Sequence, residues 1–162
     1  MKIKIGDKLP SSELFYLDEN NEVKKIDILT LCKNNKIIIL GMPGAFTKTC
    51  SAIHLPGFVK NYDLTIKKGI AKIICIAVND PNVMKAWGEN QNVKDKIFML
   101  GDPFCNFTKA IGAEVDKSAK GLGVRSNRYT MLVDNGVCKV FEEEKETATC
   151  EISAAENFLK VI

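Results

Sequence analysis

Cys50 lies in the string "GMPGAFTKTCSAIHLPGF" (residues 41–58), where an apolar, Ile-rich run gives way to a helix. Gly41 closes the run, Pro43, Gly44 and Ala45 form a loop, and Thr47 is placed to N-cap a helix with Cys50 in its first turn. The first amides of a helix have no intrahelical partner, and they converge there with the positive end of the helix dipole. Both favour thiolate over thiol, and the thiolate is the nucleophile. The bland alternative is that Cys50 is a small buried hydrophobe, as most free cysteines are. A thiolate reduces a peroxide when a donor holds it in line with the O–O bond and a cation meets the charge on the departing oxygen. Thr47 can donate its hydroxyl to both sulfur and peroxide. The cation would be one of only two arginines, Arg125 and Arg128, both in "GVRSNRYTM". A guanidinium keeps its charge and its fork of donors at any working pH. Arg128 directly precedes an expected strand, Tyr129–Val133, so it should project from a rigid element. Either arginine could instead be an ordinary surface charge.

His54, the one histidine of the chain, falls four residues after Cys50 and so on the same helical face. It could serve as general base in a Cys/His pair. The plainer reading is a structural or rim residue just before Pro56.

These residues need a frame. Lys36–Gly41 and Ala71–Asn79 ("AKIICIAVN") are continuous apolar runs, the pattern of strands buried on both faces. Asp80 and Pro81 open a helix that is expected to reach Gly88, with Asp80 as N-cap. Asn135-Gly136 between "RYTMLVD" and "VCKVFEE" predicts a hairpin with a type I′ turn. Ser153 and Glu156 form an S-x-x-E capping box ahead of a final helix. Strand and helix alternate, then a hairpin and a helix follow. The expectation is an α/β, thioredoxin-like domain over residues 1–162, with a central mixed β-sheet flanked by helices.

Composition closes off other classes. Hydrophobic residues make up 46% and charged residues 27% of the 162 residues, a globular balance. A net charge of +3, carried mostly by scattered lysines, gives no basic stripe for nucleic acid. The longest apolar runs are too short to span a bilayer, and the first residues carry no signal-peptide pattern, so a cytoplasmic location is expected. Six cysteines, at 32, 50, 75, 105, 138 and 150, are too sparse for a disulfide scaffold and include no C-x-x-C. With one histidine, a Cys/His metal site is not expected either.

The string "PGAFTKTC" resembles the P-x-x-x-[TS]-x-x-C motif of peroxiredoxins. The longer series formed by "PGAFTKTCS", "HLPGF", "VNDPNVMKAWG" and "GLGVRSNRY" resembles the type II, peroxiredoxin-5-like branch. The likeness runs from Gly6-Asp7-Lys8-Leu9-Pro10 to the last helix. It implies a thioredoxin fold and reduction of hydrogen peroxide and alkyl hydroperoxides without metal or organic cofactor. By the same resemblance Cys50 is the peroxidatic cysteine, Thr47 its hydroxyl partner, Pro43 its shield and Arg128 the second active-site position. The Thr49 and Cys50 amides would line the peroxide pocket, His54 would transfer no proton, and a homodimer is implied. Lys48 departs from the pattern, since the family generally has proline there.

Attack on peroxide leaves a sulfenic acid that another thiol must capture. Cys150 is similar in place to the animal resolving cysteine, and Cys75 to the plant one. Glutathione, glutaredoxin or thioredoxin could serve as external thiol. Cys75 sits in an apparently buried strand and would need local unfolding. Cys150 lies in a polar segment expected to be exposed, where Glu146 and Glu151 should raise its pKa. Cys32, Cys105 and Cys138 read as packing residues. Two rivals are a disulfide oxidoreductase, disfavoured by the missing C-x-x-C, and a non-catalytic redox sensor, disfavoured by Thr47, Cys50 and Arg128 occurring together.

Overall fold

The computed structural model describes residues 2–162. Its centre is a seven-stranded mixed sheet in the order β2-β1-β5-β4-β3-β8-β9. The hairpin β1 (Glu13–Leu17) and β2 (Val23–Asp27) forms one edge, and α1 (Ile28–Cys32) follows it. β3 (Lys36–Met42), β4 (Lys72–Ala77) and β5 (Phe98–Gly101) run parallel in the middle. Helical crossovers join them, as parallel strands require. The first contains α2 (Leu55–Lys60) and α3 (Tyr62–Lys67), the second is α4 (Pro81–Asn90). After α5 (Asn106–Ala110) a small separate ladder pairs β6 (Glu114–Asp116) with β7 (Val124–Ser126). β8 (Tyr129–Asp134) returns antiparallel to β3, β9 (Val137–Glu143) completes the other edge, and α6 (Ala155–Val161) ends the chain.

The continuous apolar runs are strands buried on both faces. Along β3, Ile38, Leu40 and Met42 enter one core, with Cys50, Phe58, Cys75, Trp87 and Phe158. Ile37 and Ile39 enter the other, with Leu14, Cys32, Phe107, Tyr129 and Cys138. The α/β, thioredoxin-like expectation is met. The β1–β2 hairpin and the β6–β7 ladder, short and partly exposed, and β5, buried but only four residues long, carry no such pattern in the sequence.

Local signals fared unevenly. Asp80 caps α4 through bonds from the Asn82 and Val83 amides at 2.8 and 3.0 Å. Asn135 and Gly136 both take positive φ, 47° and 80°, as the predicted turn demands. The Ser153–Glu156 capping box does not form: the N-cap is Ala154, with no side-chain bond. Ser153 instead donates its hydroxyl to Glu144 Oε1 at 2.8 Å, so that hydroxyl serves a tertiary contact.

Candidate active site

The site lies at the carboxyl end of β3, where the sheet continues to β4 on one side and β8 on the other. Such a switch point opens a crevice beyond the strand ends. Gly41 pairs there with Tyr129. A Cβ on Gly41 would lie 2.0 Å from the Tyr129 ring, so no larger residue fits. This close approach carries Arg128, one residue before β8, to the loop that leaves β3.

That loop leads into a helix beginning at Lys48, and Cys50–His54 forms a π turn within it. The Leu55 amide reaches the Cys50 carbonyl rather than that of Ser51. Pro56 supplies the local cause, having no N–H for the Ala52 carbonyl and a ring that would clash with it. Turns of this kind recur at functional sites. Here the turn buries both Cys50 and His54 completely. Trp87 packs beneath, its indole N–H donating to Ser51 Oγ at 3.0 Å.

Arg128 is 1% exposed and joins the pieces. Its Nη2 donates to Cys50 Sγ at 3.3 Å and its Nη1 to His54 Nδ1 at 3.2 Å. Nε and Nη2 also donate to the Thr147 carbonyl, at 3.2 and 3.0 Å. Four of five guanidinium donors are thereby engaged. Arg125 lies elsewhere, donating to the Leu122 and Pro43 carbonyls at 2.8 and 3.4 Å. It steadies the loop rather than meeting the sulfur.

Thr47 departs from its expected role. Its hydroxyl donates to the Gly44 carbonyl at 2.7 Å, so that proton goes to the loop and not to Cys50. Oγ1 can turn its proton to another oxygen only by giving up the Gly44 bond. Thr49 Oγ1 donates to the Ala148 carbonyl at 3.1 Å. Pro43 is buried in the loop. Phe46 is 53% exposed, and its φ of 61° is unusual for a bulky residue. Trp87 is wholly buried in the core.

Sequence reasoning missed Thr130 on β8 and the strap between β9 and α6. Glu144 is nearly buried and accepts from the Glu151 and Ser153 amides and the Ser153 hydroxyl, at 2.6, 2.9 and 2.8 Å. Burial works to raise its carboxyl, but these bonds and the Arg128 charge outweigh it and hold the group below its ordinary value. Glu144 thus fixes the strap whose Thr147 carbonyl grips Arg128. In sequence it is one of several acidic residues in "FEEEKE", and nothing there marks it.

The remaining thiols differ from Cys50. Cys75 is fully buried in β4 on the same side of the sheet, and burial, then the nearby Cys50 charge, pushes its thiol well up. Cys150 is half-buried, with Sγ 3.7 Å from Ser153 Oγ, not the exposed residue expected. Burial is the first cause raising it, and the carboxylate acting on it is Glu144 rather than Glu146 or Glu151. Cys32, Cys105 and Cys138 are buried away from the site, with burial raising each thiol. Among the described residues no group of three or more His, Cys, Asp or Glu is placed to hold a metal ion. No described helix is long and apolar enough to cross a membrane.

Known proteins share this chain's sequence and fold. The Redoxin family model matches residues 4–159. Peroxiredoxin-2E, chloroplastic, of Arabidopsis thaliana is 44% identical over 163 residues, covering 99% of this chain and 69% of its own. Reduced Prx3 of Vibrio vulnificus, solved with hydrogen peroxide, superposes with a TM-score of 0.92 at 40% identity, over 98% of each chain. The Plasmodium falciparum antioxidant protein, a 1-Cys peroxiredoxin, gives 0.91 at 31%, over 99% of this chain and 100% of that one. Matches of this extent leave the fold and the chemistry of the group in agreement, and the chain belongs to the peroxiredoxins, in their type II-like branch, as a thiol-dependent peroxidase.

Proposed function

We propose that this chain, with residues 1–162 acting as one domain, reduces hydrogen peroxide and alkyl hydroperoxides through Cys50. The observation that carries the reading is the Arg128 Nη2 donor 3.3 Å from a wholly buried Cys50 Sγ. A charge-assisted donor already directed at the sulfur can follow charge onto the departing oxygen. The sulfur attacks one peroxide oxygen and the O–O bond breaks. The second oxygen leaves as alkoxide or hydroxide and takes up a proton, and Cys50 becomes a sulfenic acid. The first-turn amides of Thr49 and Cys50, with the Thr47 hydroxyl, line the approach, and Pro43 shields it. Stopped-flow peroxide consumption with dithiothreitol tests the assignment: wild type turns over and Cys50→Ser does not, and equal slow rates for both would end it.

Cys150 is the resolving thiol in this reading. It rides on the strap whose Thr147 and Ala148 carbonyls already touch Arg128 and Thr49. Its thiol attacks the Cys50 sulfenic acid, expelling water and leaving a disulfide that an external thiol (thioredoxin, glutaredoxin or glutathione) reduces. Cys75 shares the Cys50 core layer, but its strand is hydrogen-bonded on both sides. Non-reducing mass spectrometry after one equivalent of peroxide distinguishes Cys50–Cys150 from Cys50–Cys75 and from a glutathione adduct. A homodimer belongs to the same proposal, supported by Phe46 and Phe104, 53% and 68% exposed in the loops after β3 and β5. Sedimentation of the reduced protein checks it. The cytoplasmic location is kept against a chloroplastic relative, and imaging of a tagged chain tests it.

A further inference from the structure

The hydrogen bonds on Arg128 continue beyond it in one direction. His54 is fully buried, and both ring nitrogens have partners: Nε2 lies 3.0 Å from Thr130 Oγ1, and Nδ1 3.2 Å from Arg128 Nη1. Thr130 donates its single hydroxyl proton to the Ser153 carbonyl at 2.6 Å. Toward the ring, therefore, Thr130 can only accept. A guanidinium N–H can only donate. One tautomer satisfies both neighbours, with the proton on Nε2 and the lone pair of Nδ1 turned to Arg128. An imidazolium would set a second N–H against the guanidinium. Burial first, then the Arg128 charge, lowers His54 from 6.5 to about 3.

The guanidinium is planar, so two anchor points fix its plane. The Thr147 carbonyl takes Nε and one Nη2 hydrogen, and His54 Nδ1 takes Nη1. With those held, the other Nη2 hydrogen is directed at Cys50 Sγ. Arginine side chains have several rotatable bonds, and without the Nδ1 contact the Thr147 carbonyl is the one oxygen or nitrogen acceptor left to orient the fork.

We infer that His54 is a positioning residue of the peroxidase site: its Nδ1 lone pair holds Arg128 so that the guanidinium meets the Cys50 sulfur, and it accepts no proton from thiol or substrate. The inference rests on the reading of Cys50 and Arg128 given above. The π turn is what makes it possible, since it buries residues 50 and 54 together under one guanidinium.

Two substitutions separate the two ring nitrogens. His54→Asn places an amide oxygen near the Nδ1 position and keeps an acceptor for Arg128. His54→Gln reaches toward Thr130 instead and loses that acceptor. The second-order rate with peroxide is expected to fall on the order of 10-fold in His54→Gln, the scale on which residues that orient an active group act. It should stay within about 3-fold of wild type in His54→Asn, at similar melting temperatures. Equal losses in both, no loss in either, or rescue by Gln rather than Asn overturns the inference. A measurement on the unaltered chain stands independently of how the variants fold. His54 is the only histidine, so 15N-histidine labelling gives one imidazole pair in the NMR spectrum. The expected signature is the neutral Nε2–H tautomer throughout pH 5 to 8, and an imidazolium or an Nδ1–H tautomer in that range overturns the assignment. If Cys50→Ser leaves peroxide consumption unchanged, the catalytic reading fails while the tautomer result stands.

Discussion

Both faces of the central sheet bury cysteines, and their surroundings could hardly differ more. On one face Cys32 and Cys138 pack among Ile, Leu and Tyr129, and the charges that reach them are carboxylates, Asp27 and Asp7. Burial, helped by those charges, pushes their thiols up to about 12 and about 11. On the other face Cys50 is equally inaccessible, but a buried guanidinium donates to its sulfur. The lesson is that enclosure by itself silences a cysteine. What separates Cys50 from these packing thiols is a cation, desolvated with it and held in place by the Thr147 carbonyl and an imidazole.

The sharpest way to break that contrast is to remove one sulfur from each face. Cys50→Ser should lower the peroxide rate by more than about 10³-fold, whereas Cys32→Ala should leave the rate unchanged and cost roughly 1 kcal/mol of stability. Stopped-flow kinetics beside urea melts reads both. Removing the cation comes next. Arg128→Ala should lower the rate on the order of 10²-fold, the loss of one oriented donor to developing charge. A larger loss from Arg125→Ala would show that the two arginines have been assigned the wrong way round.

Gly41→Ala attacks the juncture that brings Arg128 to Cys50. A methyl group 2.0 Å from the Tyr129 ring has to be accommodated by moving β8, at a cost of about 1–3 kcal/mol. Calorimetry would register this as a lower melting temperature.

Acid should discriminate the faces more gradually. His54 binds a proton in the unfolded chain below its ordinary 6.5 but in the folded chain only near about 3. Its depressed value therefore costs nothing above pH 6.5. It erodes stability as pH falls from 6.5 toward 3, by up to about 1.4 kcal/mol per unit. Wild type minus His54→Asn, followed by urea denaturation across that window, isolates the contribution, and parallel pH curves would contradict it. The smallest expected effect is that of Thr47→Val, which forfeits the Gly44 bond and a pocket hydroxyl. A few-fold slower rate, with the alkylation rate of Cys50 as companion measurement, is anticipated.

Much of this frame is legible in the amino-acid order because it depends on near neighbours. The runs at Lys36–Gly41 and Ala71–Asn79, the Asp80 cap and the Asn135–Gly136 turn are local patterns with local causes. Cys50 stands out for the same reason, at a strand-to-helix turn. The Ser153–Glu156 box failed because a distant carboxylate claimed the serine hydroxyl, a competition no window of sequence displays. Glu144, Thr130 and the Thr147 carbonyl were invisible on similar grounds, since each acts only once β8, β9 and the strap have closed around Arg128. The edge hairpin is brief and partly exposed, and β5, though buried, is only four residues long, so neither leaves a periodic pattern.

One contact beneath the pocket has a practical corollary. The chain holds a single tryptophan, and its indole nitrogen is tethered to the residue immediately following Cys50. Any rearrangement that loosens that turn has to alter the polarity felt by the lone indole. Its emission thus offers a label-free optical readout of the sulfur's oxidation cycle, free of contributions from a second emitter of the same kind.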